Sequence, residues 1–151
     1  FYSQWYYSAV RLGVSIPSLG TVSAIADHLN LDRSFVAKVV GFLLNHKLIV
    51  EEKNGRLAMG PQVTHVGHDS PFVNRHHTNW RLKSLQAMES IGELDLFYTG
   101  PMALSEEATK EIRKMLVDLV EKSTKKAANS DSEVLRCLNI DWFAVGGNRI
   151  R

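Results

Sequence analysis

Apolar residues in the first third of the chain recur at helical spacing in three stretches. Residues 1–12, FYSQWYYSAVRL, are aromatic and apolar along one helical face, which indicates a helix packed against a core. In VSAIADHLNL the apolar positions recur at i, i+3, i+4 and i+7, with Thr21 placed as N-cap and Asn30 as terminating residue. Asp32 is placed to cap a third helix, RSFVAKVVGFLLNH, whose predicted inward face is Val36, Val39, Val40 and Leu43.

A hairpin pattern follows the third helix directly. Residues 48–52 and 56–59 of KLIVEEKNGRLAMG have the composition of short strands, and Asn54-Gly55 between them predicts a type I′ turn with positive φ at both positions. Helix, helix, short turn, helix and hairpin is the order of elements in a winged helix. We therefore predict a winged helix-turn-helix domain over residues 1–62.

The remaining residues predict a linking helix and a C-terminal module. Ser70 and Pro71 are placed as N-cap and first residue of a helix that runs to about Ser90. Its predicted stripe consists of Val73, His77, Trp80, Ser84 and Met88. This pattern predicts a linking helix within residues 63–92.

The C-terminal residues 93–151 predict a strand–helix–strand module. The segments 93–99 and 134–145 are rich in branched and aromatic residues, and a helix that begins at Ser105 lies between them. Such an order predicts two parallel strands, which need a further partner to make a stable sheet, and a second copy of the chain is the expected supplier. The predicted fold class is α+β, and the module is predicted to dimerise or to sense a partner.

Composition narrows the classes of protein. The chain has 151 residues, of which 44% are hydrophobic and 23% charged, as in a globular protein. No apolar run reaches the roughly 18–20 residues of a membrane helix, so we expect no membrane partner. The single cysteine, Cys137, excludes an internal disulfide and favours the cytoplasm, and its place among apolar residues predicts an inert, buried thiol. The chain begins with Phe1 rather than Met, as expected of a piece of a longer protein.

Charge adds modest support for binding to double-stranded DNA. The net charge is +2, and residues 1–62 carry six basic and four acidic side chains. A recognition helix would contact phosphates or base edges in the major groove, and the hairpin tip would contact the adjacent backbone. The predicted DNA-binding residues are Arg33, Ser34 and Lys38 on the third helix, Lys53, Asn54 and Arg56 in the hairpin, and Arg75 and Arg81 on the linking helix.

The histidines invite a metal-site hypothesis, because four of the six lie within residues 64–80. His76 and His77 are adjacent and point about 100° apart on a helix, so they do not easily face one ion. A site built from His65, His68, Asp69 and one of those two is stereochemically possible, but the spacing matches no recognised ligand set. We predict neither a metal nor a cofactor.

The motifs of common enzymes are missing from the sequence. It has no nucleophile elbow, phosphate-binding glycine loop or zinc-protease helix motif, and an acidic pair of Asp95 and Asp141 is the only conceivable catalytic set. We therefore predict a DNA-binding transcriptional regulator that acts as a homodimer, and no enzyme. The alternative is a protein-interaction module that reuses the winged helix, with the aromatic N-terminus and a strand edge as its contact surface.

Several segments together resemble a bacterial family. WYYSAVR, IADHLNLDRSFVAKVVGFLLNHKLI and HDSPFVNRHHTNWR, followed by LDLFYTGPMALSEEATKEIRKMLVDLVEK and EVLRCLNIDWFAV, are similar to the landmarks of an uncharacterised family found in predatory and related Gram-negative bacteria. That family carries a C-terminal domain of unknown function. The resemblance covers nearly the whole chain and implies a winged-helix regulator. It brings no catalytic or ligand residues with it.

Overall fold

Helices dominate the structure, a computed structural model that describes residues 3–61 and 70–146. The described helices are α1 (Trp5–Gly13), α2 (Val22–Leu29), α3 (Arg33–Asn45), α4 (Val73–Ala87) and α5 (Glu106–Ala128). A short 3₁₀ helix, Pro17–Leu19, lies between α1 and α2. Strands β1 (Ile49–Glu51) and β2 (Leu57–Met59) form the antiparallel sheet of the described residues. The fold class is therefore α+β, as predicted.

The described residues form two compact units. The first contains the described residues up to Ile91 together with Ser132–Cys137, and the second contains Gly92–Asp131 together with the described residues from Leu138 onward. Helix α4 thus belongs to the same unit as α1, α2, α3 and the hairpin. Helix α5 belongs to the second unit.

Local capping chemistry sets the ends of α2 and α3. The Thr21 hydroxyl accepts a hydrogen bond from the Ala24 N–H at 3.2 Å, and Asp32 accepts one from the Phe35 N–H at 2.9 Å. Asn30 ends α2 in the left-handed conformation, with φ of 52°. All three predicted roles are confirmed, and they hold α2 and α3 at the two ends of a short turn.

The core of the first unit lies between α1, α2, α3 and the hairpin. The inward residues predicted for α3 are all buried, and Ile25 and Ala26 of α2 are fully buried beside them. Leu135, from the segment Ser132–Cys137, also packs against this core. Arg11 is a buried cation of α1, and its Nε donates a hydrogen bond to the Leu48 carbonyl oxygen at 3.2 Å. That bond ties α1 to the residue that leads into β1.

The hairpin pairs Val50 with Ala58 across β1 and β2. Its turn differs from the predicted type I′, because Asn54 is not among the described residues with positive φ, whereas Gly55 has φ of 80°. The Gly55 N–H donates to the Glu52 carbonyl and the Glu52 N–H donates to the Arg56 carbonyl, which defines a three-residue loop. Asn54 stabilises this loop by accepting the Arg56 N–H at 2.9 Å, so glycine alone takes the left-handed conformation.

Helix α4 packs against α1 through aromatic and polar contacts. The Trp5 and Trp80 rings meet edge to face at 6.4 Å, and the Lys83 ammonium lies 4.4 Å from the centre of the Trp5 ring. Asn79 donates to the Ser3 carbonyl oxygen at 2.9 Å. These contacts hold α4, the predicted linking helix, against the rest of the first unit.

The predicted start and stripe of α4 need correction. The helix begins at Val73 without a side-chain cap, and Ser70 instead accepts the Phe72 N–H at 3.3 Å in a preceding turn. His77 was placed on the inward stripe but is exposed, while His76 is half-buried. The covered face of α4 includes Asn79 and Lys83 as well as Trp80, whereas Met88 of the predicted stripe is also exposed.

The C-terminal prediction is correct for the helix and wrong for the strands. Ser105 caps α5 by accepting the Ala108 N–H at 3.1 Å, as its sequence position predicts. The segments 93–99 and 134–145 are not part of any β-sheet formed by the described residues. Their composition favours strands, but a strand also needs a neighbouring strand to pair with. Among the described residues, only β1 and β2 pair in a sheet.

Candidate nucleic-acid interface

Helix α3 has one buried face and one exposed face. The buried face carries the apolar residues of the core, and on the other face Ser34, Ala37, Lys38 and Asn45 are exposed. Gly41 lies among these residues, and a Cβ added to it would meet no atom within 4 Å. The exposed face is therefore small, polar and open, so another molecule can approach the helix backbone closely there.

Arg33, the first residue of α3, forms an ion pair with Asp27 of α2. Its Nη2 lies 3.1 Å from each of the two carboxylate oxygens. Both side chains are well exposed, at 66% for Arg33 and 63% for Asp27. An exposed pair of this kind contributes about 0–1 kcal/mol, and Arg33 therefore remains available to a phosphate that competes with Asp27.

Asp32 adds a second carboxylate beside Arg33. The Ser34 hydroxyl donates to Asp32 Oδ1 at 2.5 Å, so this predicted DNA contact already has an intramolecular partner. The hydrogen bond from Ser34, followed by that from the Phe35 N–H and by the charge of Lys38, lowers the pKa of Asp32. Asp32 is therefore ionised at neutral pH, which suits the positive end of the α3 dipole.

Lys38 is an exposed cation on the outer face of α3. It lies one turn after Ser34, with its side chain exposed, and it forms no ion pair with another described residue. Lys38 and Gly41 are three residues apart and so lie side by side on the helix surface. A phosphate at this position would contact a cation next to an unobstructed stretch of backbone.

The three hairpin residues predicted to contact DNA differ in how far their side chains are exposed. Lys53 and Asn54 are exposed at the loop, although the Asn54 side chain already accepts a backbone N–H. Arg56 is half-buried and its side chain lies across Gly20, since a Cβ on Gly20 would come within 2.6 Å of Arg56 Cγ. Of the three predicted contacts, Arg56 is thus one whose side chain is engaged within the first unit. Arg56 packs its aliphatic stem against the loop before α2.

The two arginines of α4 also differ. Arg75 is exposed near the start of the helix. Arg81 is half-buried and donates to the His77 carbonyl oxygen at 3.0 Å, and its charge acts on the thiol of Cys137. Arg81 therefore faces the segment Ser132–Cys137 of its own unit, which makes it a poor phosphate contact.

Asp27 is a residue of this surface that the sequence analysis did not anticipate. The helical phase of α2 places it opposite the buried Ile25 and Ala26, so its exposure could have been foreseen. Its partner could not, because the turn of residues 30–32 decides where Arg33 points. Asp27 and Asp32 together reduce the positive potential at the start of α3.

The histidine-rich segment yields no metal centre within residues 3–61 and 70–146, where no three His, Cys, Asp or Glu side chains gather at a spacing suited to an ion. His65, His68 and Asp69, on which the metal hypothesis rested, lie outside the described residues. The His76 and His77 rings are 6.1 Å apart and tilted. Burial, followed by the neighbouring His77, lowers the pKa of His76, so it is mainly neutral at pH 7.

Cys137 and Asp95, two residues considered for chemistry in the sequence, each have a defined environment within their own unit. Cys137 is exposed, contrary to the prediction of a buried thiol. Nearby atoms nevertheless exclude enough water to raise its pKa, against the opposing charge of Arg81, so the thiol is disfavoured as a nucleophile. Asp95 caps a turn by accepting the Gly92 N–H at 2.8 Å.

By its fold the chain is a mixed α+β protein with a helical first unit that presents a small, polar helix face. It belongs to the family of the domain of unknown function DUF4423, whose model matches residues 1–145. Searches of curated proteins and of solved structures found no match. None of the described helices is long and apolar enough to cross a membrane.

Proposed function

We propose that the chain is a bacterial, cytoplasmic transcriptional regulator that binds double-stranded DNA as a homodimer through a winged helix in its first unit. Helix α3 is the recognition helix in this proposal, and the hairpin of β1 and β2 is the wing. Arg33, Lys38, Lys53 and Arg75 are the cations that would reach phosphates or base edges.

The exposed face of α3 is the observation that carries the proposal. A recognition helix must enter a groove about 12 Å wide, so its outer face needs small and polar side chains. Ala37 and Gly41 provide the small positions, and the open space in front of Gly41 lets the helix backbone approach the DNA. Lys38 supplies a positive charge at the centre of that face.

The elements around α3 support the same arrangement. The turn between α2 and α3 is short and capped at both ends, as a helix-turn-helix requires. The Leu57 N–H donates to the Gly20 carbonyl oxygen at 2.8 Å, which ties β2 to the loop before α2. This bond fixes the hairpin relative to the helices, so a wing at Lys53 and Asn54 would be held in a defined position.

The ion pair of Arg33 with Asp27 is compatible with DNA binding. Its worth of about 0–1 kcal/mol is small, and a phosphate releases counterions when a cation neutralises it. Asp27 therefore acts as a competitor that DNA displaces.

A binding titration with double-stranded DNA tests the proposal. Fluorescence anisotropy at low salt is measured for the unchanged protein and for the double variant Arg33→Ala with Lys38→Ala, using sheared genomic DNA of the source organism. The matched control is Lys114→Ala with Lys125→Ala, which removes two exposed cations from α5. We expect the first variant to lose at least about tenfold in affinity and the control to bind as the unchanged protein does.

Two outcomes would reject the proposal. One is no binding at low salt, and the other is binding that the control weakens as much as the variant of α3 does. Either outcome would favour the alternative of a protein-interaction module. In that alternative, the aromatic N-terminus offers less free contact surface than the sequence predicts. The aromatic residues of α1 pack onto Phe35, Phe42 and Trp80 within the first unit.

A further inference from the structure

Helix α5 leaves much of its apolar surface uncovered. None of its residues is buried, and the side chains of Met115, Val117, Leu119 and Val120 are all exposed. An amphipathic helix normally buries such a stripe against another element. Within the apolar stripe, Ile112 and Leu116 are half-buried, so the stripe is covered only in part.

A shallow apolar groove runs along one flank of α5. It has a volume of about 390 Å³ and is lined by the apolar Leu116, Val117, Val120, Ile140 and Trp142 and by the charged Arg113 and Glu121. All of these residues belong to the second unit. The groove is wide open, so its apolar lining faces water in a single chain.

The two charged residues of the groove lie symmetrically about Val117 along α5. Arg113 lies four residues before Val117 and Glu121 lies four residues after it, so the three share one stripe of the helix. Arg113 and Glu121 are both exposed, and neither forms an ion pair with another described residue. A second α5 laid antiparallel across Val117 would bring Glu121 of one copy to Arg113 of the other, twice.

The ends of α5 have the same complementarity. Glu106 and Glu107 lie in the first turn and Lys125 and Lys126 in the last. An antiparallel pair sets the acidic end of each helix beside the basic end of the other, whereas a parallel pair sets like charges together. The charge pattern therefore selects a second copy in antiparallel orientation over a parallel one.

The segment before α5 exposes further apolar surface in the same unit. Leu94, Leu96 and Tyr98 are 82%, 89% and 77% exposed, while the intervening Asp95 and Phe97 are half-buried. One side of this segment is thus covered and the other is apolar and bare. A contiguous apolar surface of this kind on a globular protein indicates an interaction site.

We propose that the groove flank of α5 is the homodimer contact, in which two copies cross antiparallel near Val117 and each Arg113 pairs with Glu121 of the other copy. The proposal deepens the homodimer of the proposed function, and rests on it for its biological role. It does not depend on DNA for its test, because dimerisation is measured without DNA.

A charge-swap series measured by sedimentation equilibrium tests the contact. The full chain should have twice its 17.0 kDa mass at micromolar concentration. Arg113→Glu places two acids together and should weaken the dimer at least about tenfold, and Glu121→Arg should do the same. The double swap Arg113→Glu with Glu121→Arg should restore the dimer. Residues eight apart on a helix are about 12 Å apart, so that rescue has to come from another copy.

Lys122→Glu is the matched control. It reverses a charge on the residue next to Glu121, but about 140° around the helix from Val117, and we expect the dimer to persist. Circular dichroism of every variant reports whether α5 is still folded. A monomer at all concentrations overturns the proposal and leaves DNA binding to stand alone. A dimer that Arg113→Glu leaves intact, or that the double swap fails to restore, also overturns this contact.

Crosslinking gives the orientation. In a Cys137→Ser background, a short bismaleimide should join Lys110→Cys of one copy to Thr124→Cys of another when the two variants are mixed. Neither variant should crosslink efficiently by itself. Crosslinking of Lys110→Cys to itself, without the mixed product, would establish a parallel pair and contradict the antiparallel contact.

Discussion

Arg33 at the start of α3 is held by Asp27 of α2, with its Nη2 3.1 Å from both carboxylate oxygens. The ion pair joins α2 and α3 on their exposed side, where α3 would meet DNA in the proposed function. In that proposal Asp27 competes with DNA for Arg33. The pair is exposed and therefore weak, so removing the carboxylate should cost little stability.

Asp27→Asn should increase affinity for double-stranded DNA by about threefold to tenfold, since it frees Arg33 and removes a negative charge from the surface. Anisotropy titration at low salt checks this. Asp118→Asn, which removes an exposed carboxylate from α5, should leave the affinity unchanged. Unchanged or weaker binding by Asp27→Asn would show that Arg33 does not contact the DNA.

Two glycine substitutions should have opposite effects on stability. Gly41→Ala should stabilise the protein by about 0.5–1 kcal/mol, because Gly41 lies inside α3 and its Cβ would meet nothing. Gly60→Ala should destabilise it by about 1–3 kcal/mol, because its Cβ would collide with the backbone at Lys47 and Leu48. Thermal unfolding measures both. A lower midpoint for Gly41→Ala would mean that this face of α3 is covered in the folded protein.

Acid should weaken the first unit partly through Asp32. Its pKa is lowered on folding by the hydrogen bonds from Ser34 and Phe35, so its contribution is complete above the ordinary aspartate pKa, about 3.9, and is lost as pH falls through the lower folded value. Asp32→Asn keeps a capping group that does not titrate. Its melting temperature should therefore fall less than that of the unchanged protein between about pH 6 and about pH 3. An equal fall in the two proteins would contradict the prediction.

Trp80→Ala should release α4 from α1, because it removes the ring that packs on Trp5. Hydrogen exchange should accelerate across residues 73–87 and remain slow in α3, whose inward residues stay buried. His77→Ala is the control on the exposed side of α4 and should leave exchange unchanged. Faster exchange with His77→Ala than with Trp80→Ala would contradict this packing and would favour the predicted stripe, in which His77 faces inward.

The sequence predicted those parts of the fold that depend on local chemistry. Thr21, Asn30, Asp32 and Ser105 cap or end their helices through bonds to residues within a few positions, and such bonds leave a clear pattern. The inward face of α3 followed from helical periodicity for the same reason.

Contacts between distant residues escaped prediction. Arg56 lies across Gly20, and Arg81 acts on Cys137, so neither points where its place in the sequence suggests. The strands predicted at 93–99 and 134–145 failed for a related reason, since β-structure depends on a partner that composition does not reveal. Of the proposed binding residues, Lys38 and Lys53 are exposed as expected, whereas Arg33, Ser34 and Asn54 already have partners.

The salt dependence of DNA binding tests the central claim most directly. Each phosphate contact adds about 0.9 to the magnitude of the slope of log K against log salt concentration, so the slope counts the cations in the interface. We predict that Lys38→Ala lowers this magnitude by about one and that Lys114→Ala leaves it unchanged. The absence of DNA binding at low salt, or an identical slope for the unchanged protein and Lys38→Ala, would contradict α3 as the DNA-binding helix.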